Sequence, residues 1–270
     1  MERILITGSG GYIGGSLKKA LKNSGLETIG LRRAGAADEI SADLLDPESL
    51  RKALSGENFT WVIHAVGRSK KDSYSQDIKK AVNLLEALRN LDRRPGLIFL
   101  SSVSVYGEDG RSVVSIDDEK RPSGEYGRSK VQCEELFVGS GFDRVYILRL
   151  TPVFDGSNRR NLRVRAYLPG TGIKIRILPS FPATLCSMET LTSKIVDMIR
   201  RKEKGVFISN AGDDSPYDQN EIAASFPGFS FPLPEILFRP FYYVLKIIPG
   251  RTSYSLRCFY WKLFRGVVYR

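Results

Sequence analysis

Histidine is almost missing from this chain. His64 is the only one among 270 residues, so a Ser-His-Asp or Cys-His nucleophile system would have to be built on that single side chain, and a multi-histidine metal centre is excluded. Cysteine is scarce too. Cys133, Cys186 and Cys258 are odd in number and far apart, which suggests neither a disulfide framework nor a Cys-x-x-Cys site and fits a reducing cytoplasm. Acidic residues are outnumbered, 30 Asp and Glu against 41 Lys and Arg, giving a formal charge of +11. Such a surplus attracts nucleic acid, an anionic membrane surface or a phosphorylated small substrate, and does not choose among them. No apolar run reaches the roughly 18 residues of a membrane-spanning helix. The opening Met1-Glu2-Arg3-Ile4-Leu5-Ile6-Thr7 is too short an apolar run for a signal peptide and leads directly into glycines.

What is present alternates. Ile4-Leu5-Ile6 reads as a buried parallel strand, Thr7-Gly8-Ser9-Gly10-Gly11-Tyr12-Ile13-Gly14-Gly15 as a turn, and Leu17, Ala20 and Leu21 as the apolar face of a helix that stops at Asn23-Ser24-Gly25. Glycines there let the backbone turn tightly and approach a pyrophosphate, whose charge meets the helix N-terminus. Glu27 to Leu31 is a second strand, and Ile40-Ser41-Ala42-Asp43-Leu44 the end of a third. Asp46 caps a helix that opens on Pro47 and runs through Ala53 and Leu54. Trp61-Val62-Ile63-His64 and Leu97-Ile98-Phe99-Leu100 are further strands, separated by a helix carrying Ile78, Val82, Leu84, Leu85 and Leu88. A helix from Tyr126 through Cys133, Leu136 and Phe137 ends near Ser140-Gly141, and Val145 to Leu150 is a sixth strand. Six strands alternating with helices predict an α/β fold, a doubly wound parallel sheet of the Rossmann kind, with right-handed crossovers.

Tyr126 and Lys130 are four residues apart, so both side chains fall on one helix face, where a cation beside a phenol suits proton transfer. Taken alone, such a pair is an ordinary surface feature. Upstream, the fifth strand opens into Ser101-Ser102-Val103-Ser104-Val105-Tyr106-Gly107, a source of hydroxyls for a reacting oxygen. The second strand ends in Arg32-Arg33, where a carboxylate would suit the ribose of NAD and arginine suits the 2′-phosphate of NADP. NADP is therefore expected, with NAD as the alternative.

The spacing Thr-Gly-x-x-Gly-x-x-Gly at Gly8, Gly11 and Gly14, followed more than a hundred residues later by Tyr-x-x-x-Lys, resembles the extended short-chain dehydrogenases/reductases of the nucleotide-sugar epimerase/dehydratase group. The resemblance implies that Ser102, Tyr126 and Lys130 are catalytic. It implies a cofactor site of Thr7, Gly8, Gly11, Tyr12, Ile13 and Gly14, with Arg32, Arg33, Asp43 and Leu44 at the adenosine end and His64, Ala65, Tyr126 and Lys130 near the nicotinamide ribose. Here the family's His-x-Ala-Ala is His64-Ala65-Val66-Gly67, and Asp77 stands in place of a frequent asparagine. Ser104 would line the substrate, and Arg159, Arg160 and Arg163, in a stretch that continues to Arg176 without an acid, would meet a diphosphate. The family's dehydratases place an Asp-Glu pair after the catalytic hydroxyl residue, whereas this chain has Val103-Ser104, so elimination is disfavoured. Reduction of a 4-keto sugar is the favoured reading, with epimerisation of a nucleotide- or lipid-diphosphate sugar, or a non-catalytic NADP-binding scaffold, as alternatives.

Residues 1–150 are expected to form the dinucleotide domain and 151–270 a small, interleaved substrate lobe, of which about 187–210, a helix from Met188 and a strand at Val206-Phe207-Ile208, returns to the main sheet. The last forty residues mix aromatics with cations. They suit first a lobe over the substrate, and as a second reading a peripheral contact with the inner membrane surface. No nucleic-acid module accompanies them. A homodimer through helices of the nucleotide domain is also implied by the resemblance.

Overall fold

The computed structural model describes residues 2–35, 38–67, 73–107, 111–168, 171–247, 256, 260, 264 and 266–270, with the backbone alone at 238, 241, 242, 245 and 246. Cys258 and most of the aromatic run from Cys258 to Arg265 lie outside the described residues.

Strands β1 (Arg3–Thr7), β2 (Glu27–Arg32), β3 (Glu39–Ser41), β4 (Trp61–His64), β5 (Gly96–Ser102), β6 (Arg144–Leu150) and β7 (Gly205–Ala211) form one sheet. Its order is β7-β6-β5-β4-β1-β2-β3, and every neighbouring pair is parallel. Parallel strands need crossovers, and these put helices on both faces, which is why β1, β4, β5 and β6 read as nearly unbroken apolar runs. Helices α1 (Tyr12–Asn23) and α5 (Met188–Arg201) pack together, while α2 (Pro47–Leu54), α3 (Tyr74–Arg89) and α4 (Glu125–Val138) pack in series. One continuous core joins Leu5, Val62, Phe99 and Ile147 of the sheet to Leu50, Leu84 and Phe137 of α2 to α4. The expected Asp46 cap is present: its carboxylate accepts from the amides of Glu48 and Ser49 at 3.1 Å, with Pro47 opening α2. β7 follows α5, and its residues 205–211 pair in register with 144–150 of β6.

The chain divides into two compact units. The first holds this sheet and is assembled from residues 1–107, 122–150 and 188–211. The second takes residues 108–121, 151–187 and 212–270. Among the described residues its strands come in pairs, Lys174–Leu178 with Ser230–Pro234 being the longest, and its helices include Arg160–Ala166, Gln219–Ala224 and Glu235–Ile247. Small clusters, Ile175 and Ile177 with Tyr260 and Phe264, and Leu162 with Leu185 and Ile222, hold it together. Among the described residues no helix is long and apolar enough to cross a membrane.

Candidate active site

Because the sheet is parallel, β1, β4 and β5 end on the same edge, and the strand order reverses between β1 and β4, the place where such sheets bind ligands. The residues that follow these three strands are therefore brought together by topology alone.

After β1 the chain turns through Gly8, whose φ of +77° favours glycine. The Gly11 amide bonds the Gly8 carbonyl at 2.9 Å, and α1 starts at Tyr12. A Cβ on Gly14 would collide with the Gly8 carbonyl, so this position must be glycine for α1 to approach β1 so closely. Thr7 and His64, the last residues of β1 and β4, are joined by a 2.8 Å hydrogen bond between Oγ1 and Nδ1. The His64 ring is buried and stacks near Phe99 and Phe137, with centroids 5.8 and 5.7 Å away. Burial first, then the charges of Lys130 and Lys80, push its pKa down to about 3. The lone histidine is thus neutral and tied to Thr7, a structural group beside the turn. Cys133 is no nucleophile either, since burial pushes its thiol up to about 11.

Tyr126 and Lys130 share a face of α4, the ammonium lying 5.9 Å from the centre of the tyrosine ring. Lys130 is buried, 4.8 Å above the Phe99 ring, and donates to the carbonyls of Val66 at 3.2 Å and Leu100 at 3.0 Å. The ammonium therefore joins the exit of β4 to β5, and among the described residues its third N–H has no partner. The half-exposed Tyr126 ring packs on Tyr74 of α3 at 6.0 Å. Ser102 closes β5 and caps a single 3₁₀ turn, Val103–Tyr106: its Oγ accepts from the Ser104 amide at 3.2 Å and donates to the Ser104 hydroxyl at 3.1 Å. This turn abuts the start of α4 through Gly127, where a Cβ would lie 2.5 Å from the Ser104 carbonyl and 2.9 Å from Pro122. Gly127→Ala is accordingly expected to push Tyr126 away from the serine turn and lower kcat by about 10- to 100-fold while cofactor affinity is kept. Paired turnover and fluorescence-titration measurements check this, and an unchanged kcat would remove the turn from the site.

A buried network that the sequence reading did not single out fixes α4 from behind. Glu134, one turn past Lys130, accepts from Arg149 Nε at 3.0 Å, from Arg149 Nη2 at 2.9 Å and from Ser101 Oγ at 2.6 Å. Arg149 Nη1 reaches the Tyr106 hydroxyl at 2.8 Å, which donates to Asn210 Oδ1 of β7 at 2.8 Å. A signal was available: Arg149 falls on the same strand face as the core residues Val145 and Ile147, where an unpaired charge could not stay.

At the end of β2, Arg32 lies over Gly10 and its Nε is paired with Glu39 of β3. Glu39 also receives Ser9 Oγ at 3.0 Å and Lys18 Nζ at 3.1 Å, in space that exists because residue 30 is glycine. Arg33 is exposed. The Asp43 carboxylate takes the Leu45 amide at 2.9 Å, and Leu44 is buried with its carbonyl on Asn83. Ile13 is half-buried in α1, and Ala65, also half-buried, follows β4 with its carbonyl against Gly8. The expected Arg159, Arg160 and Arg163 belong to the second unit. Arg159 is half-buried, on the Phe226 ring at 4.3 Å and on the Ser225 hydroxyl at 2.6 Å; Arg163 lies over Tyr167 at 4.8 Å, and Arg160 is exposed. Arg165, from the same acid-free stretch, is buried.

The sequence profile described as "NAD dependent epimerase/dehydratase family" matches residues 4–168, more than half of the chain. UDP-glucuronate 4-epimerase 4 of Arabidopsis thaliana is 29% identical over 175 residues, covering 55% of this chain and 40% of that protein. D-erythronate dehydrogenase of Cupriavidus necator is 26% identical over 234 residues, covering 73% of this chain and 71% of that protein. The chain thus spans well under half the length of the first relative. A solved structure of a UDP-glucose 4-epimerase superimposes with a TM-score of 0.69 at 19% identity, over 86% of this chain and 85% of that one, a likeness of fold.

Proposed function

Because the chain belongs to the NAD dependent epimerase/dehydratase family, we propose that it is an oxidoreductase acting on a diphosphate-linked sugar, with Tyr126 as the acid and base at the reacting oxygen. The observation that supports this most is the buried Lys130 ammonium, bonded to the Val66 and Leu100 carbonyls and facing the Tyr126 ring. A dinucleotide fits the residues present: Gly8, Gly11 and Gly14 form a side-chain-free turn at the start of α1, where backbone amides and the helix dipole favour a pyrophosphate. When bound, its nicotinamide supplies or takes up the hydride. Tyr126 Oη gives a proton to the sugar oxygen when a carbonyl is reduced and takes it back when a carbinol is oxidised. Ser102 holds that oxygen, exchanging its bond to Ser104 Oγ for one to substrate, and Lys130, beside the Tyr126 ring, would hold a ribose hydroxyl of the dinucleotide. In the second unit, the exposed Arg160 and Arg163 have the guanidinium chemistry that suits a diphosphate.

Reduction of a 4-keto sugar is the first reading, since Val103 and Ser104 put no carboxylate on the turn for elimination. Epimerisation is the second, favoured by the likeness to UDP-glucuronate 4-epimerase 4. Incubation with NADPH or NADH and a panel of nucleotide-linked sugars separates them. Stoichiometric coenzyme loss marks a reductase, inverted product without net loss marks an epimerase, and no turnover with any of them would count against both, leaving a dinucleotide-binding scaffold.

Coenzyme choice is proposed to be NADP, through Arg32 and Arg33, with Glu39 setting how much of the Arg32 charge a 2′-phosphate meets. Glu39→Gln is then expected to raise the preference for NADPH over NADH by about 3- to 10-fold, the effect of one charge at the margin of the site. Fluorescence titrations with both coenzymes test it; an unaltered ratio would take Arg32 out of the ribose site.

A further inference from the structure

The helix Glu235–Ile247 carries an apolar face that meets solvent. Ile236, Leu237, Tyr243, Val244 and Ile247 are all exposed. Their spacings of 7 and 11 residues are close to two and three helical turns, so they share one side of a helix about 20 Å long. Isolated exposed apolar residues are ordinary, but here they are concentrated. The four most exposed large apolar side chains among the described residues, Ile247 at 83%, Phe229 at 77%, Ile236 at 70% and Leu237 at 69%, all fall between 229 and 247. Phe229, just before the strand Ser230–Pro234, and Phe231 within it are set edge to face at 5.3 Å, and that strand leads straight into the helix.

The charge along this segment of the sequence is of one sign. From residue 229 to the last residue of the sequence there are seven Lys or Arg and a single acid, Glu235. That acid is buried and its carboxylate accepts the Tyr260 hydroxyl at 2.6 Å, so it does not offset the cations at the surface. Arg239, within the helix, is exposed. A second copy of the chain laid on this face would bring two such cationic segments together, which is unfavourable. A nucleic acid would answer the charge but leave the isoleucines, leucine and valine in water. An anionic lipid surface answers both, since the side chains enter the acyl boundary and the cations meet headgroups.

We infer that the helix Glu235–Ile247 docks the protein in the plane of an anionic membrane surface, with Ile236, Leu237, Val244 and Ile247 inserted and Arg239 among the headgroups. The contact is peripheral: the helix has 13 residues with Pro240 inside it, too short to span. This inference does not depend on the reaction proposed above.

The test is flotation of the full chain with vesicles of phosphatidylcholine, with and without equimolar phosphatidylglycerol. Co-flotation is expected with the anionic vesicles, falling by at least about tenfold without phosphatidylglycerol or in high salt. The triple variant Ile236→Asp, Val244→Asp, Ile247→Asp is expected to lose flotation by a similar factor while its melting temperature and NADH titration match the parent. Because the parent arms need no variant, a poorly folding triple variant does not spare the idea. Failure of the parent to float with anionic vesicles, equal flotation with neutral ones, or undiminished flotation of a folded triple variant would overturn it. So would a dimer in size-exclusion chromatography that the triple variant splits, without any flotation, since the face would then belong to a second copy.

Discussion

Tyr126→Phe is expected to lower kcat by about 10²- to 10⁴-fold, the usual worth of a positioned general acid or base, with dinucleotide affinity nearly unchanged. The substitution removes one oxygen and no packing. The ring of residue 126 stays against Tyr74, and Lys130 keeps its bonds to the Val66 and Leu100 carbonyls, so the nucleotide unit has no reason to rearrange. What disappears is the proton at the reacting oxygen. A loss confined to kcat, with the coenzyme titration and melting temperature of the parent, is the expected pattern. Parental turnover in the Tyr126→Phe protein would refute the assigned role, and loss of coenzyme binding would make the tyrosine a structural residue.

The second large effect is on stability. Arg149→Met strips the Glu134 carboxylate of a two-bonded cation in the interior, and breaking one side of a buried pair costs about 3–5 kcal/mol. Against a typical total of 5–15 kcal/mol that is a large fraction, and the melting temperature should fall by on the order of ten degrees. The companion test is the double variant Glu134→Leu, Arg149→Met, in which no charge is left behind; it should recover most of the loss, because two apolar side chains of similar volume are at home in that interior. Equal melting of Arg149→Met and the parent would mean the pair carries no weight in holding α4. A double variant no better than the single would mean that Tyr106 and Asn210, and not the ion pair, are what Arg149 serves.

The nucleotide unit was largely legible in the residues because its grammar is local. Unbroken apolar runs named the buried strands, Asp46 with Pro47 named a helix start, and glycines at 8, 11 and 14 named a turn that the packing of Gly14 on the Gly8 carbonyl requires. Tyr126 and Lys130 could be placed on one face by counting four residues. The rest depends on partners distant in sequence. Nothing near Arg32 announces that Glu39, on the next strand, takes its guanidinium. Nothing near Glu134 points to Arg149, Tyr106 and Asn210, which only the sheet order brings together. Arg159 and Arg163 read as phosphate-type cations by composition, and that each also lies over an aromatic ring of its own unit is a contact that residue counting does not reveal. The apolar, cationic character of the last forty residues was plain, whereas the exposure of one helical side of it was not.

The parallel pairing of β7 with β6 has a consequence on the ribosome. Residues 151–204 separate the two strands, and β7 supplies Asn210, the terminal acceptor of the Arg149 network. At elongation rates of about 5–20 residues per second, β6 emerges roughly 3–11 s before the strand that covers its open edge. For that interval the nascent chain presents Val145 to Leu150, an apolar strand with unpaired amides on one side, which is the kind of edge that recruits other chains. The step most exposed to misassembly during synthesis is therefore the wait for residues 205–211, and chaperone dependence should be relieved by whatever shortens it.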